Sequence, residues 1–344
     1  MSQKVRKTSV IRRKLLKCYI DDAQPVGWVS TMARKKTNTP AQRMLRMNMT
    51  GGAAGVQTTK YIDLAKQLSK VNRRLYRQGR DYHVKKITVV ASTADNPAGG
   101  IAGTSVSVSA APNTWVTREA WKRGFRVWSE MQKHAMHASG NDLRSTWNDF
   151  KIYMNSDSVL ASAQLNDIYD VTGINIYDVG EWVISDFTSP DGTAAADDFY
   201  ATLMGDHSGA AGARTSVSLI KSYGESRVTV NPDDPNVQPD VADDPLNNVF
   251  DYGTTVDEVL DNVLTENDNP PYSLDRYPGD NANGPKPAIM QMTNLSDGRA
   301  VLGGFNAICG LIAITTTSEQ ASLPLELLIE LAPGKYRGIH AEAI

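Results

Sequence analysis

Hydrophobic and polar positions follow three different rules along the chain. Up to about residue 57 no period is sustained, and basic clusters alternate with TNTP and the small-residue run TGGAAG. Over TTKYIDLAKQLSKVNRRLYRQGRD, Tyr61, Leu64, Leu68, Val71 and Leu75 recur at helical steps, which predicts a helix over 60–78. Thr58 or Thr59 would cap its start, Asp63 would lie in its first turn, and Gly79 suits the C′ position. From Val84 onward the texture is that of strands. HVKKITVVAS, TSVSVSA, FKIYMNS, EWVISDF, FYATLMG, TSVSLIKSYG, PAIMQMT, ICGLIAITTT and LPLELLIELAPG are short runs rich in β-branched or aromatic residues. Several alternate with period 2, and Gly, Pro, Asn or Asp clusters separate them.

Two excursions between these runs read as helices. TREAWKRGFRVWSEMQKHAMHASG places Trp121, Phe125, Trp128 and Met131 on one side, which predicts a helix over 117–138 with Thr117 as N-cap and Gly140 as stop. TVDEVLDNVLTEN groups Val256, Val259, Leu260, Val263 and Leu264. It lies within 231–284, a stretch with seven prolines, thirteen acids and Arg276 as its single base, which predicts an acidic surface loop.

The fold class that follows is mainly β, an antiparallel β-sandwich of jelly-roll type with inserted helices and a basic N-terminal arm. A single roll of about eight strands accommodates these runs, whereas a double roll would need about sixteen. The expected organisation is an extended or disordered arm over 1–57 and a β domain over 58–344. No stretch approaches the roughly 18 apolar residues of a membrane span. The basic N-terminus lacks a signal peptide's apolar region. With Cys18 and Cys309 alone, no disulfide framework is expected, and a reducing compartment during synthesis is the default.

Charge sharpens the division. Residues 1–90 carry 21 Lys or Arg against four acids, and the remainder 15 against 34, although the whole chain is at −2. Such asymmetry predicts an electrostatic partner for one part only. The cations fall at Arg12, Arg13 and Lys14, at Arg34, Lys35 and Lys36, at Arg43 and Arg46, and along the predicted first helix. Arg12, Arg13, Lys14, Arg34, Lys35 and Lys36, aided by Arg73, Arg74 and Arg77, are the expected phosphate-binding group.

Catalytic chemistry leaves no comparable mark. There is no P-loop, no G-x-S-x-G elbow and no C-x-x-C pair, and GGAAG lacks a following Lys. His134 and His137 stand at i, i+3 without an evident third metal ligand. Asp233–Asp234 and Asp243–Asp244, each followed by Pro, offer the oxygens that calcium at a subunit interface would take, but lack EF-hand spacing. Solvated turns are the simpler reading, and no cofactor is expected. Trp28 in the arm is suited to stacking on a base or anchoring to a neighbouring subunit.

A basic arm, a basic helix and a helix-decorated β domain together resemble the jelly-roll capsid proteins of small non-tailed icosahedral viruses. YIDLAKQLSKVNRRLYRQG followed directly by a strand, and the close SLPLELLIELAPGKYRGIHAEA, look like capsid proteins of environmental single-stranded DNA viruses. The resemblance implies a self-assembling shell made inside a host cell, a virion location, a packaged genome of single-stranded DNA beside the arms, and no enzymatic activity. Two other classes stay open at this point. One is a non-catalytic nucleic-acid-binding protein, the other a β-sandwich carbohydrate-active protein with an incidental basic leader.

Overall fold

The alternation in PLELLIEL is realised in full. In the computed structural model Pro324–Leu331 is a strand with Leu325, Leu327, Ile329 and Leu331 buried and Glu326, Leu328 and Glu330 half-buried on the opposite face. The structure describes residues 40–91, 103–139, 149–175, 177, 182–189, 197–210, 213–228, 287–295 and 298–344. The chain divides into two units, Met1–Asn38 and Thr39–Ile344, and every described residue belongs to the second.

In chain order the strands are β1 Met44–Thr50, β2 Thr58–Asp63, β3 Arg80–Ala91, β4 Ser105–Ala110, β5 Asp186–Ser189, β6 Asp197–Thr202, β7 Ser208–Ala210, β8 Ala213–Ser218, β9 Ala288–Asn294, β10 Arg299–Leu302, β11 Phe305–Ile308, β12 Leu311–Thr317, β13 Pro324–Leu331, β14 Pro333–Gly334, β15 Gly338–Ile339 and β16 Ala341–Ala343. The helices are α1 Leu64–Asn72, α2 Trp115–Ser139 and α3 Leu219–Val228, with short 3-10 turns at Ser156–Val159 and Ala161–Ala163.

Two sheets face each other. One runs β1-β13-β3-β10, with β11 and β16 also paired to β3, and the other runs β2-β12-β4-β9. The ladders β1–β13, β2–β12, β3–β10 and β4–β9 are all antiparallel. They pair the outermost strands of the roll first and the innermost last, so the chain is one long hairpin rolled on itself. The cross-ladders β13–β3 and β12–β4 close each sheet. That is a single jelly roll, an antiparallel β-sandwich. Between β4 and β9 the chain makes its long excursion, which carries α2, α3 and a small sheet ordered β5-β6-β8-β7.

The sandwich interior is filled from both sheets by Leu45, Met47, Met49, Ile87, Val89, Val106, Val108, Ile312, Ile314, Leu325, Leu327 and Ile329. A second core lies where the excursion packs, around Tyr61, Trp121, Trp128, Phe150, Phe187, Leu311 and Ala313. Neighbouring residues of β12 therefore point into different cores, Ile312 and Ile314 into one and Leu311 and Ala313 into the other. A strand buried on both faces has no polar side to show, which is why LIAI reads as a continuous apolar run.

Several expectations are corrected. Met44–Thr50, assigned to the arm, is β1 and pairs with β13 along its whole length. Its Leu45, Met47 and Met49 face the core while Arg46 and Asn48 face outward, an alternation disguised by methionine and by the neighbouring bases. The helix expected over 60–78 begins at Leu64, because TTKYID is laddered to β12 as β2. Asp63 is the N-cap, accepting from the Lys66 amide at 3.1 Å, and Arg73 in the left-handed region ends the helix. Gly79 is no C′ residue; a Cβ there would stand 2.5 Å from the Trp121 ring.

Smaller differences concern the excursion. The second helix is two residues longer at its start than the expected 117–138, and Thr114 rather than Thr117 caps it, its hydroxyl accepting from the Thr117 amide at 3.3 Å. FKIYMNS lies in no ladder beyond a bridge from Tyr153 to Thr202. TSVSLIKSYG divides into β8 and α3. The 231–284 segment, including TVDEVLDNVLTEN, lies outside the described residues.

Candidate nucleic-acid interface

Register places the starts of β1 and β3 and the ends of β2 and β13 at one end of the roll. Met44 faces Glu330, Asp63 faces Leu311, and Arg80 faces Ala343. The link from α1 to β3 crosses this end, and its sequence NRRLYRQGR decides what it shows. Asn72 closes the helix by a reciprocal pair of bonds with the backbone of Gln42, at 2.8 and 3.0 Å. Arg73 then turns the chain at φ 52, a conformation most residues adopt only at some cost. Beyond it Tyr76 and Gln78 are buried while Arg73, Arg74 and Arg77 are exposed.

A second basic stretch, Lys335–Arg337, reaches the same place from the end of β13. Three tyrosines join the two. Tyr76 Oη donates to the Arg337 carbonyl at 2.9 Å, Tyr82 Oη donates to the Arg77 carbonyl at 2.7 Å, and Tyr336 Oη accepts from the Arg77 amide at 3.1 Å. The Tyr336 ring meets Tyr76 and Tyr82 edge-on, with centroids 5.9 and 6.4 Å away. Arg80 lies over Tyr336 with its guanidinium carbon 3.8 Å from the ring centroid, and Arg337 donates to the Leu75 carbonyl. Burial pushes the Tyr76 and Tyr82 hydroxyls up, so both stay protonated donors.

An opposing charge stands at Asp149, 3.6 Å from Arg77. Burial raises its carboxyl, against the pull of Arg77 and Lys151. Arg77 nevertheless keeps 60% of its side chain exposed. Arg73, Arg74, Arg77, Arg80, Lys335 and Arg337 thus form a cationic surface held on a tyrosine base. It can bind phosphate oxygens without reading sequence.

Other cations singled out by charge alone are occupied elsewhere. Lys60 donates to the Ser162 carbonyl at 2.6 Å, Lys66 to Asn166 Oδ1 at 2.9 Å and Lys70 to the Asn166 carbonyl at 2.8 Å. Arg46 pairs with Glu326 and also donates to the Asp170 and Val171 carbonyls. These contacts fasten the 160–175 segment along the β1 and β2 edges, where Leu165 and Tyr169 also donate to Tyr61 and Arg46. Under that segment lies a cavity of about 80 Å³ lined by residues including Tyr61, Asp63, Lys66, Gln164, Asn166 and Trp182. Its Asp63 carboxylate accepts from Gln78 at 2.7 Å and Trp182 at 3.0 Å, and burial raises its pKa. With those donors and the Lys66 amide all met, Asp63 is a structural hub.

Of the expected phosphate-binding residues, Arg73, Arg74 and Arg77 are brought together, and Arg12, Arg13, Lys14, Arg34, Lys35 and Lys36 lie outside the described residues. Trp28 and both aspartate pairs lie outside them too. Sequence reasoning missed Arg80, Lys335 and Arg337. The one available signal was the basic KYR following a strand that had to end near the start of its neighbours. His134 and His137 are exposed on α2, and among the described residues no group of three His, Cys, Asp or Glu can hold a metal ion. Cys309 is buried in the turn between β11 and β12, and burial pushes its thiol well up. Among the described residues no helix is long and apolar enough to cross a membrane. No family model, curated protein or solved structure matches the chain.

Proposed function

We propose that this chain is the structural, non-catalytic subunit of a viral shell, assembling with copies of itself around nucleic acid. One observation carries the reading: Arg73, Arg74, Arg77, Arg80, Lys335 and Arg337 are collected at the end of the jelly roll where β1 enters. There Gln42, only a few residues after the basic 1–36 stretch, is hydrogen-bonded to Asn72 beside Arg73. A chain with both a cation-rich leader and a cationic surface on its β domain can hold an irregular polyanion by charge, as packaging requires. The resemblance to capsid proteins of single-stranded DNA viruses, carried by the basic arm, the 61–79 and 322–343 stretches and the helix-decorated β domain, supports the same reading. The jelly roll alone also serves lectin domains and cupins, so it does not by itself select the function.

Reversing Arg73, Arg74 and Arg77 together to Glu tests the reading. The variant should still fold, since all three side chains are exposed. It should bind single-stranded DNA with a salt slope shallower by about two, at about 0.7 for each phosphate no longer neutralised. An unchanged affinity and slope would rule this surface out as the binding face.

A further inference from the structure

The cationic surface does not stop at the tyrosines. Arg118, on the first turn of α2, is 3.2 Å from Asp81, the neighbour of Arg80, and its Nε donates to Asn113 at 2.6 Å. Arg118, Lys122 and Arg126 follow at intervals of four, one stripe along α2. Lys122 pairs with Glu119 one turn back at 2.8 Å, a surface pair that a phosphate can displace, and both Lys122 and Arg126 are exposed. Beside this stripe stands Phe125, 39% exposed, its ring stacked on Trp121 at 5.4 Å and 6° and tilted 34° from Trp128 at 6.2 Å. Trp121 packs against Gly79, which lies between Arg77 and Arg80, and Phe125 is 5.9 Å from Phe150, the neighbour of the Asp149 that pairs with Arg77. An outward aromatic ring backed by a second parallel ring, set among cations, is a ready continuation for a stack of bases.

We propose that Phe125 is a base-stacking platform on a path for single-stranded nucleic acid, which runs from the Arg73–Arg80 and Lys335–Arg337 surface onto α2. The inference rests on the nucleic-acid reading above and adds a ligand form and a residue. Phosphates track the stripe of Arg118, Lys122 and Arg126, while an unpaired base lies on Phe125 and extends the Phe125–Trp121 stack. A duplex keeps its bases stacked on each other and gains only the phosphate contacts, so the site favours single strands. Stacking on phenylalanine accepts any base, in keeping with binding that is indifferent to sequence.

The test uses nuclease-treated full-length protein and two probes, a thymidine 20-mer carrying 5-iododeoxyuridine and a duplex of equal length. Irradiation should crosslink the single strand to the tryptic peptide containing Phe125. F125L, which keeps bulk but loses the π face, should bind the single strand at least fivefold more weakly with duplex affinity unchanged, and F125Y should restore it. Thermal melting of F125L confirms folding, and should it fail, the crosslink map of the wild-type protein decides alone. Crosslinks confined to other peptides, or an F125L variant with the wild-type ratio of single-strand to duplex affinity, overturn the proposal. Charge reversal of Arg73, Arg74 and Arg77 separates the two readings: binding unaltered by that reversal, with the Phe125 crosslink intact, fails the basic surface and keeps the stacking site.

Discussion

The guanidinium of Arg80 lies 3.8 Å above the ring of Tyr336, joining the first residue of β3 to the turn between β14 and β15, just beyond β13. Strands at the centre of one sheet therefore deliver the two basic stretches to one spot, and an aromatic ring keeps their cations from spreading apart. Replacing that ring tests the arrangement. Tyr336→Phe removes only the acceptor of the Arg77 amide and should cost about 0.5–1.5 kcal/mol in urea unfolding. Tyr336→Ala also removes the edge-on packing with Tyr76 and Tyr82 and the seat of Arg80, and should cost clearly more while weakening DNA binding. Equal costs for the two variants would show that the ring holds nothing.

Asp63 gives the domain a pH dependence of known sign. Burial raises its carboxyl, so the folded state holds the proton more tightly than the unfolded chain, whose value is about 3.9. Its contribution to stability is full below that value and declines as pH rises through the raised folded value. Asp81 and Asp149, also raised by burial, act in the same direction. Asp63→Asn removes one titration and leaves an amide facing donors from Gln78, Trp182 or the Lys66 amide, a cost of about 1–3 kcal/mol at neutral pH. Urea midpoints between pH 4 and 8 should fall less steeply in the variant than in the parent; parallel curves would refute the assignment.

Gly79→Ala should destabilise by about 1–3 kcal/mol, because the new methyl would stand 2.5 Å from Trp121 and that indole is wedged into the second core. Thermal melts would show a lowered midpoint. A neutral result would mean that Trp121 shifts freely.

Ile312→Asp and Leu327→Asp each set an unpaired charge in the sandwich interior and should abolish soluble folding, as read from the fraction of expressed chain recovered in solution. Either variant melting like the parent would contradict the two-sheet core.

Much of the roll was legible where one face of a strand is wet. PLELLIEL shows its pattern because Glu326 and Glu330 meet Arg46, Lys85 and Lys86 at the surface. β1 was hidden because its outward Arg46 belongs to that ion pair, yet in the sequence it joins the basic run before it. The start of α1 was misplaced because Tyr61 falls on the helical stripe of Leu64 and Leu68, while its ladder partner Ala313 lies far along the chain. The site was half visible for the same reason. Arg73, Arg74 and Arg77 stand together in sequence, whereas Arg337 reaches them only through the order of strands in the sheet. A truncation test must respect this: removing residues 1–39 leaves β1 whole, whereas removing 1–46 would take Leu45 from the core.

Assembly around nucleic acid is the property on which the proposed function stands or falls. Light scattering coupled to size exclusion of the full-length protein, with absorbance read at two wavelengths, measures it. Particles of megadalton mass are expected, with absorbance that shows nucleic acid inside, and removing residues 1–39 should strip that nucleic acid from them. A homogeneous species at the 37.5 kDa of one chain, or twice that, without nucleic acid at low salt, would contradict the proposal.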